Sequence, residues 1–346
     1  MAASDLTAKD IRIRRDKAPE QRDRDFAEAQ GISEAALVAA YCGRGVTRID
    51  AHPDTVMGAA QELGEVMALT RNLSCVHEKI GVYDNYHPGA HAAMILTEEI
   101  DLRIFPGHWH HAFLVERAGE AGVRRSLQVF DAAGDAVHKV ILREGSDHAA
   151  FAGLVGRMAS EDQSPEAVFK PRQPAEAPRI APDKVEILRK EWTRMTDTHQ
   201  FLRLVSKLKM NRLGAYRAAG LPFARRLDTG AVEALLRALQ RSETEVMLFV
   251  GNRGCIQIHT GAIHTLKPMG PWQNVMDPGF NLHLRGDHVA EVWAVDKPTQ
   301  RGTATSVEAF DAQGALIFQI FGVPKEGRDS RPAFRAIVQD LQEVVA

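Results

Sequence analysis

The sequence predicts an α+β fold of two duplicated halves, each a large antiparallel β-sheet with helices packed on one side. Three observations predict it. "EVMALTRNLSC" from Glu65 returns as "EVMLFVGNRGC" from Glu245, and the same 180-residue offset pairs Gly81 with Gly261, Leu102 with Leu282, His108 with His288 and Val115 with Val295. "SLQVFDAAGDA" from Ser126 and "SVEAFDAQGAL" from Ser306 keep that offset. A period this long marks duplicated domains rather than a solenoid. Both copies carry an Asp-Ala-x-Gly turn between alternating runs, the signature of hairpins and therefore of antiparallel pairing. Between them, "SPEAVFKPRQPAEAPRIAPD" is rich in proline and lacks periodicity, which reads as a stiff extended linker.

The elements follow in chain order. An N-terminal repeat spans 1–160, with helical segments at roughly 26–42 and 56–68, then short strands. The linker spans 161–182. The C-terminal repeat, 183–346, opens with helical segments at roughly 183–210 and 229–241 and closes with a helix over 331–344.

Composition sets outer bounds. Of 346 residues, 45% are apolar and 25% charged, an ordinary globular balance. A net charge of -2 argues against a dedicated nucleic-acid or anionic-membrane surface. Arg12, Arg14, Arg15 and Lys17 precede no apolar segment of signal-peptide type, and no run approaches a membrane span. Cys42, Cys75 and Cys255 show no metal or disulfide spacing, so a reducing, cytoplasmic setting is expected. Cys75 and Cys255 are expected at small buried strand positions.

His199 is the residue that composition leaves unexplained. Val185, Leu188, Trp192, Met195, His199 and Leu202 fall at steps of three and four, tracing one helical face. An imidazole on that face is costly without a partner. Three readings stay open on the residues alone. The ring is a core histidine bonded to a carbonyl; or "TDTHQ" restarts a helix with Thr196 or Asp197 as N-cap and His199 in its first turn; or the ring is a ligand. The N-terminal copy has no matching histidine, which favours a site. "HWHH" (108–111), if on a strand, puts His108 and His110 on one face, but no nearby ligand completes a zinc set. Arg212 and Lys297 read as solvated charges. Dinucleotide and P-loop patterns are absent.

The combination resembles the bacterial hemin-degrading and hemin-transport family. The resemblance rests on "MTDTHQF" followed by Arg212, on "EIDLRIFPGHWHHAF", on "MLFVGN", "FNLHL", "DKPT" and "FQIFG", and on the two-copy organisation. It implies haem as the bound group, with His199 as axial ligand of the iron and Arg103 on the distal side, catalytic if the protein is an enzyme. It further implies Arg212 and Lys297 facing the propionates, and Phe249, Phe318 and Gln319 at pocket positions. The family often has tyrosine at Phe318 and arginine at Pro324, where this chain follows with Lys325. The function implied is a cytoplasmic haem carrier of iron acquisition, served by an inner-membrane importer and passing haem to a separate oxygenase. The alternative is a haem-degrading enzyme using an external reductant. Neither needs nucleic acid or membrane insertion.

Overall fold

The computed structural model describes residues 6–119 and 122–344. The chain forms two compact units. Unit 1 takes the residues up to Arg71, Glu78–Gln173 and Gly251–Gln257; unit 2 takes Asn72–His77, Pro174–Val250 and the residues from Ile258 onward. Each unit thus includes a short piece from the other half of the sequence.

Unit 1 is built on an antiparallel run in the order Val46–Ile49, His111–Gly119, Gly122–Phe130, Ala136–Leu142, Glu65–Arg71. The pleat sends alternate side chains to opposite faces. Ala112, Leu114, Leu127 and Val140 pack with Val56 and Met57 of the helix Pro53–Gln61 and Phe151 of the helix His148–Met158. Phe113, Val115 and Phe130 pack on the opposite face with Ala35 and Val38 of the helix Glu34–Ala39.

Unit 2 repeats this plan in the order Ala224–Leu227, Glu291–Thr299, Gly302–Phe310, Leu316–Gly322, Val246–Gly251. Val292, Ala294, Val307 and Ile320 pack with the helices Ala231–Ser242 and Arg331–Gln339. Trp293, Val295 and Phe310 pack on the other face with Trp192, Phe201 and Tyr216, which come from the helices Val185–Thr193, Gln200–Lys207 and Arg212–Ala219. In both units, then, a second helical layer adds to the expected one-sided packing.

The hairpin turns are built alike. Asp131 Oδ1 accepts from the amides of Ala133 (2.9 Å) and Asp135 (3.0 Å), and Asp311 Oδ1 from those of Gln313 (2.9 Å) and Ala315 (2.8 Å). Gly134 and Gly314 supply the left-handed residue, φ +80° and +85°.

The expected long helices are broken. Residues 26–42 divide at left-handed Gly31, after which the Ser33 hydroxyl caps Glu34–Ala39. The segment 56–68 ends early, because a strand begins at Glu65 after left-handed Gly64. The segment 183–210 stops at Thr193 and restarts at Gln200. No helix among the described residues is long and apolar enough to cross a membrane.

Candidate haem-binding site

The break after Thr193 decides where His199 goes. Leu188, Trp192 and Met195 are buried as the apolar stripe requires. Trp192 is fixed by Phe201 at 4.6 Å between ring centroids and by its indole N–H donating to the Asp296 carbonyl at 3.0 Å. Beyond it the helical phase is lost, so the stripe does not continue. His199 is 93% exposed and Leu202 is 52% exposed. The expectation of His199 on a buried helical wall is therefore corrected: the residue is the N-cap of the helix Gln200–Lys207 and projects into solvent. The restarted helix was one of the open readings, although the capping position is His199 rather than Thr196 or Asp197.

The loop is nonetheless tightly held. The Gln300 amide donates to the Thr196 carbonyl at 3.0 Å. The Gln200 side chain accepts from the Thr196 amide at 3.0 Å and donates to its hydroxyl at 3.1 Å. One oxygen of Asp197, Oδ1, accepts from the His199 amide at 2.7 Å and lies 2.7 Å from ring Nδ1. Those bonds hold the Asp197 carboxyl below its usual range, the backbone amide contributing most.

Arg212 and Lys297 are not free surface charges. Glu308, fully buried, accepts from Lys297 Nζ at 2.8 Å and from Arg212 at 2.8 Å, and from the Tyr216 and Ser306 hydroxyls at 2.8 and 2.9 Å. Lys297 also lies over the Phe201 ring, 5.0 Å from its centroid. Burial alone would raise the Glu308 carboxyl, but the two cations outweigh it and hold it well below the usual range. The same carboxylate raises Arg212 against the opposing effect of burial. Lys297 is thus part of the interior, while Arg212 keeps an exposed edge. Sequence reasoning missed Glu308 and Tyr216. The available signal was a lone carboxylate inside the apolar strand "SVEAF".

Strand register separates the aromatic residues. Glu308, Gln319 and Phe249 stand side by side on three neighbouring strands, so all three share a face. Phe249 and Gln319 are half-buried there, and Phe249 meets Phe321 edge-on at 5.4 Å. Phe318 is a correction. One residue along the pleat, it points to the opposite face and sits 2% exposed in the core with Leu248 and Ile320.

Arg103, in unit 1, lies on the strand Asp101–Ile104, whose Leu102 and Ile104 are buried. It is a third exposed, ion-paired with Asp101, and donates to the Leu102 carbonyl at 3.1 Å. "HWHH" is not a strand: His108 ends a 3₁₀ turn, Trp109 is buried with its indole donating to the Gly254 carbonyl at 2.9 Å, and His111 starts a strand. Among the described residues no cluster of three His, Cys, Asp or Glu side chains forms a metal site. Cys75 and Cys255 are buried on strands, and burial pushes the Cys255 thiol up to about 12.

The two-copy plan matches a known family. The haemin-degrading HemS/ChuX domain profile matches residues 31–158 and again 209–341. The chain belongs to this family. Across 93% of its length it is 37% identical to the hemin transport protein HmuS of Yersinia pestis, covering 93% of that protein. Holo-PhuS, a heme-binding protein from Pseudomonas aeruginosa, shares 39% identity and superposes with a TM-score of 0.91, covering 97% of this chain and 98% of that one. ChuS, an E. coli heme oxygenase, shares 32% identity with a TM-score of 0.86, covering 96% and 99%. Family membership and fold are therefore shared along nearly the whole chain.

Proposed function

We propose that this chain is a cytoplasmic haem carrier of bacterial iron acquisition, and that His199 ligates the iron of its cargo. The observation that carries the reading is an imidazole presented on a pinned loop, with Nδ1 already engaged by Asp197 and Nε2 left to solvent. A neutral imidazole with one nitrogen tied back is the usual form of a histidine ligand. Phe249 and Phe321 offer a half-buried aromatic surface suited to a flat macrocycle, and the exposed edge of Arg212 offers a cation for a carboxylate. Lys297 contributes through Glu308, setting the charge beneath that edge. In this reading an inner-membrane importer delivers haem and a separate oxygenase receives it, consistent with relatives named as hemin transport and heme-binding proteins.

A second reading, haem degradation with an external reductant, is favoured by the resemblance to ChuS, described as a heme oxygenase. In it the Arg103 guanidinium is the distal catalytic group, a fixed hydrogen-bond donor that stabilises developing negative charge. Hemin titration tests the ligand. His199→Ala is expected to shift the Soret band and weaken binding strongly, while His108→Ala, His110→Ala and His111→Ala change little. An unaltered His199→Ala spectrum refutes the assignment. Adding oxygen and a reductant to the loaded protein separates the readings: a stable Soret band supports the carrier, and its decay with iron release supports the enzyme.

A further inference from the structure

Resting on the reading of His199 as ligand, we infer that Asp197 is its positioning residue, selecting Nε2 as the nitrogen offered to iron. The geometry is specific. A single carboxylate oxygen takes the His199 amide and faces ring Nδ1, both at 2.7 Å. The backbone bond, from residue i+2 to the Asp side chain, is an Asx turn that fixes the carboxylate relative to the His199 Cα. The ring bond then fixes rotation about the side chain, because Nδ1 must face that oxygen. The ring proton is consequently held on Nδ1, and the lone pair is left on Nε2. For a free imidazole in water the opposite tautomer, with the proton on Nε2, is the commoner one. Asp197 therefore reverses an intrinsic preference before any ligand arrives.

The seat beneath the pair is rigid for its own reasons. Thr196 is bonded through its carbonyl, amide and hydroxyl to Gln300 and Gln200. Trp192 anchors the preceding helix in the core. The loop can thus be highly exposed without being conformationally free, and the ring emerges in one orientation. An anionic partner on Nδ1 also gives the imidazole greater donor strength than a carbonyl or a water would.

The test begins on the apoprotein, so that it does not depend on haem. Two-bond nitrogen–proton correlation spectra at about pH 8.5, where imidazoles are neutral, report the tautomer, with His199 assigned by its absence in His199→Ala. The wild-type resonance is expected in the Nδ1–H pattern, reverting towards Nε2–H in Asp197→Ala. Asp197→Asn retains an acceptor oxygen without the charge, so it is expected to keep the Nδ1–H tautomer. On hemin loading, Asp197→Ala is expected to weaken binding about 10- to 100-fold, the usual cost of losing such a partner. Asp197→Asn is expected to bind nearly as wild type but with a lower iron–imidazole stretching frequency in the ferrous state. A wild-type Nε2–H tautomer overturns the proposal. So does an Asp197→Ala protein with unchanged affinity and stretching frequency when His199→Ala has lost binding, and in that case the ligand reading stands. Unchanged hemin binding in His199→Ala overturns both.

Discussion

Each unit closes the corresponding face of its own antiparallel run, and the two do so with opposite wiring. At the 180-residue offset Lys139 corresponds to Gln319, Leu69 to Phe249 and Gln128 to Glu308, while the capped helices before them stand at an offset of 178, which sets Glu34 against Arg212. In unit 1 the central carboxylate is Glu34, at the start of a helix, and it pairs with Lys139 and Arg71 on the sheet. In unit 2 the carboxylate is Glu308, on the sheet, and one of its cations, Arg212, comes from the helix. Lys139 is thereby committed to Glu34, while Gln319 has Phe249 as its register neighbour. Duplication preserved a buried carboxylate between two cations. Moving that carboxylate from helix to sheet leaves Arg212, the helical cation, with an exposed edge in unit 2.

The opposite faces differ as well. Unit 1 buries a polar chain in which Thr70 donates to Gln257 at 2.9 Å and meets His138 Nδ1 at 2.8 Å, while Tyr83 bonds the other ring nitrogen of His138. The matching residues of unit 2 are Val250, Ile263 and Phe318, all apolar and all in its core. Phe318 therefore occupies a core position that His138 fills in unit 1.

The largest effect expected is from Glu308→Ala. It strands two cations, one of them nearly inaccessible, and should cost unit 2 about 3–5 kcal/mol. Glu34→Ala should cost unit 1 less, because Lys139 and Arg71 keep some access to water. Denaturant titration followed by Trp109 for unit 1 and by the other three tryptophans, all in unit 2, measures both. Equal losses would break the comparison. Phe318→Ala should likewise cost about 3–5 kcal/mol as a core truncation, with loaded spectra unshifted. Phe249→Ala should cost about 1 kcal/mol but weaken hemin binding. The reverse pattern would return Phe318 to the site.

Acidification should separate the units. Burial lowers the His138 pKa from 6.5 to about 3. Below pH 6.5 the unfolded chain therefore binds a proton that folded unit 1 refuses, and stability falls as pH drops towards 3. By pH 4 the loss is about 3 kcal/mol. His111, lowered by burial to about 4, adds in the same direction. Glu34, held at about 2 when burial is outweighed by Lys139 and Arg71, keeps its contribution above pH 4.5 and loses it only as pH falls from 4.5 towards 2. The Trp109 transition should move first between pH 6.5 and 4.5, and His138→Phe should flatten that slope whatever it does to stability at neutral pH. A unit 2 transition moving first would contradict this. The smallest effect is Arg103→Ala, which removes a partly exposed ion pair with Asp101 and should change stability by less than about 1 kcal/mol. Hemin binding should persist, and only ring opening, measured as Soret decay, should slow if the protein degrades haem.

The repeat, the hairpins and the antiparallel pairing were legible because they rest on local signals: a fixed offset, an Asp and a Gly in each turn, alternating runs. The interruption at Arg194–His199 was not, since Trp192 keeps the helical beat up to the break, buried Met195 continues it inside the break, and Leu202 resumes it by coincidence. The charge of Lys297 told nothing about its burial, because its partner Glu308 is eleven residues away on a neighbouring strand. Register was equally hidden: Phe318 and Gln319 are adjacent in sequence and on opposite sides of the sheet.

Gly251–Gln257 belongs to unit 1, where Asn252 donates to the Arg71 and Val137 carbonyls and Gln257 to the Ala68 carbonyl. A ribosome that has just completed Gln173 must still add roughly eighty residues before that segment exists, a delay on the order of ten seconds at ordinary elongation rates. Throughout it the strand Glu65–Arg71 waits with an unfinished neighbourhood. The half made first is thus finished late, and nascent chains arrested before Gly251 should be more protease-sensitive around Ala68–Arg71 than chains arrested after Gln257 has cleared the exit tunnel.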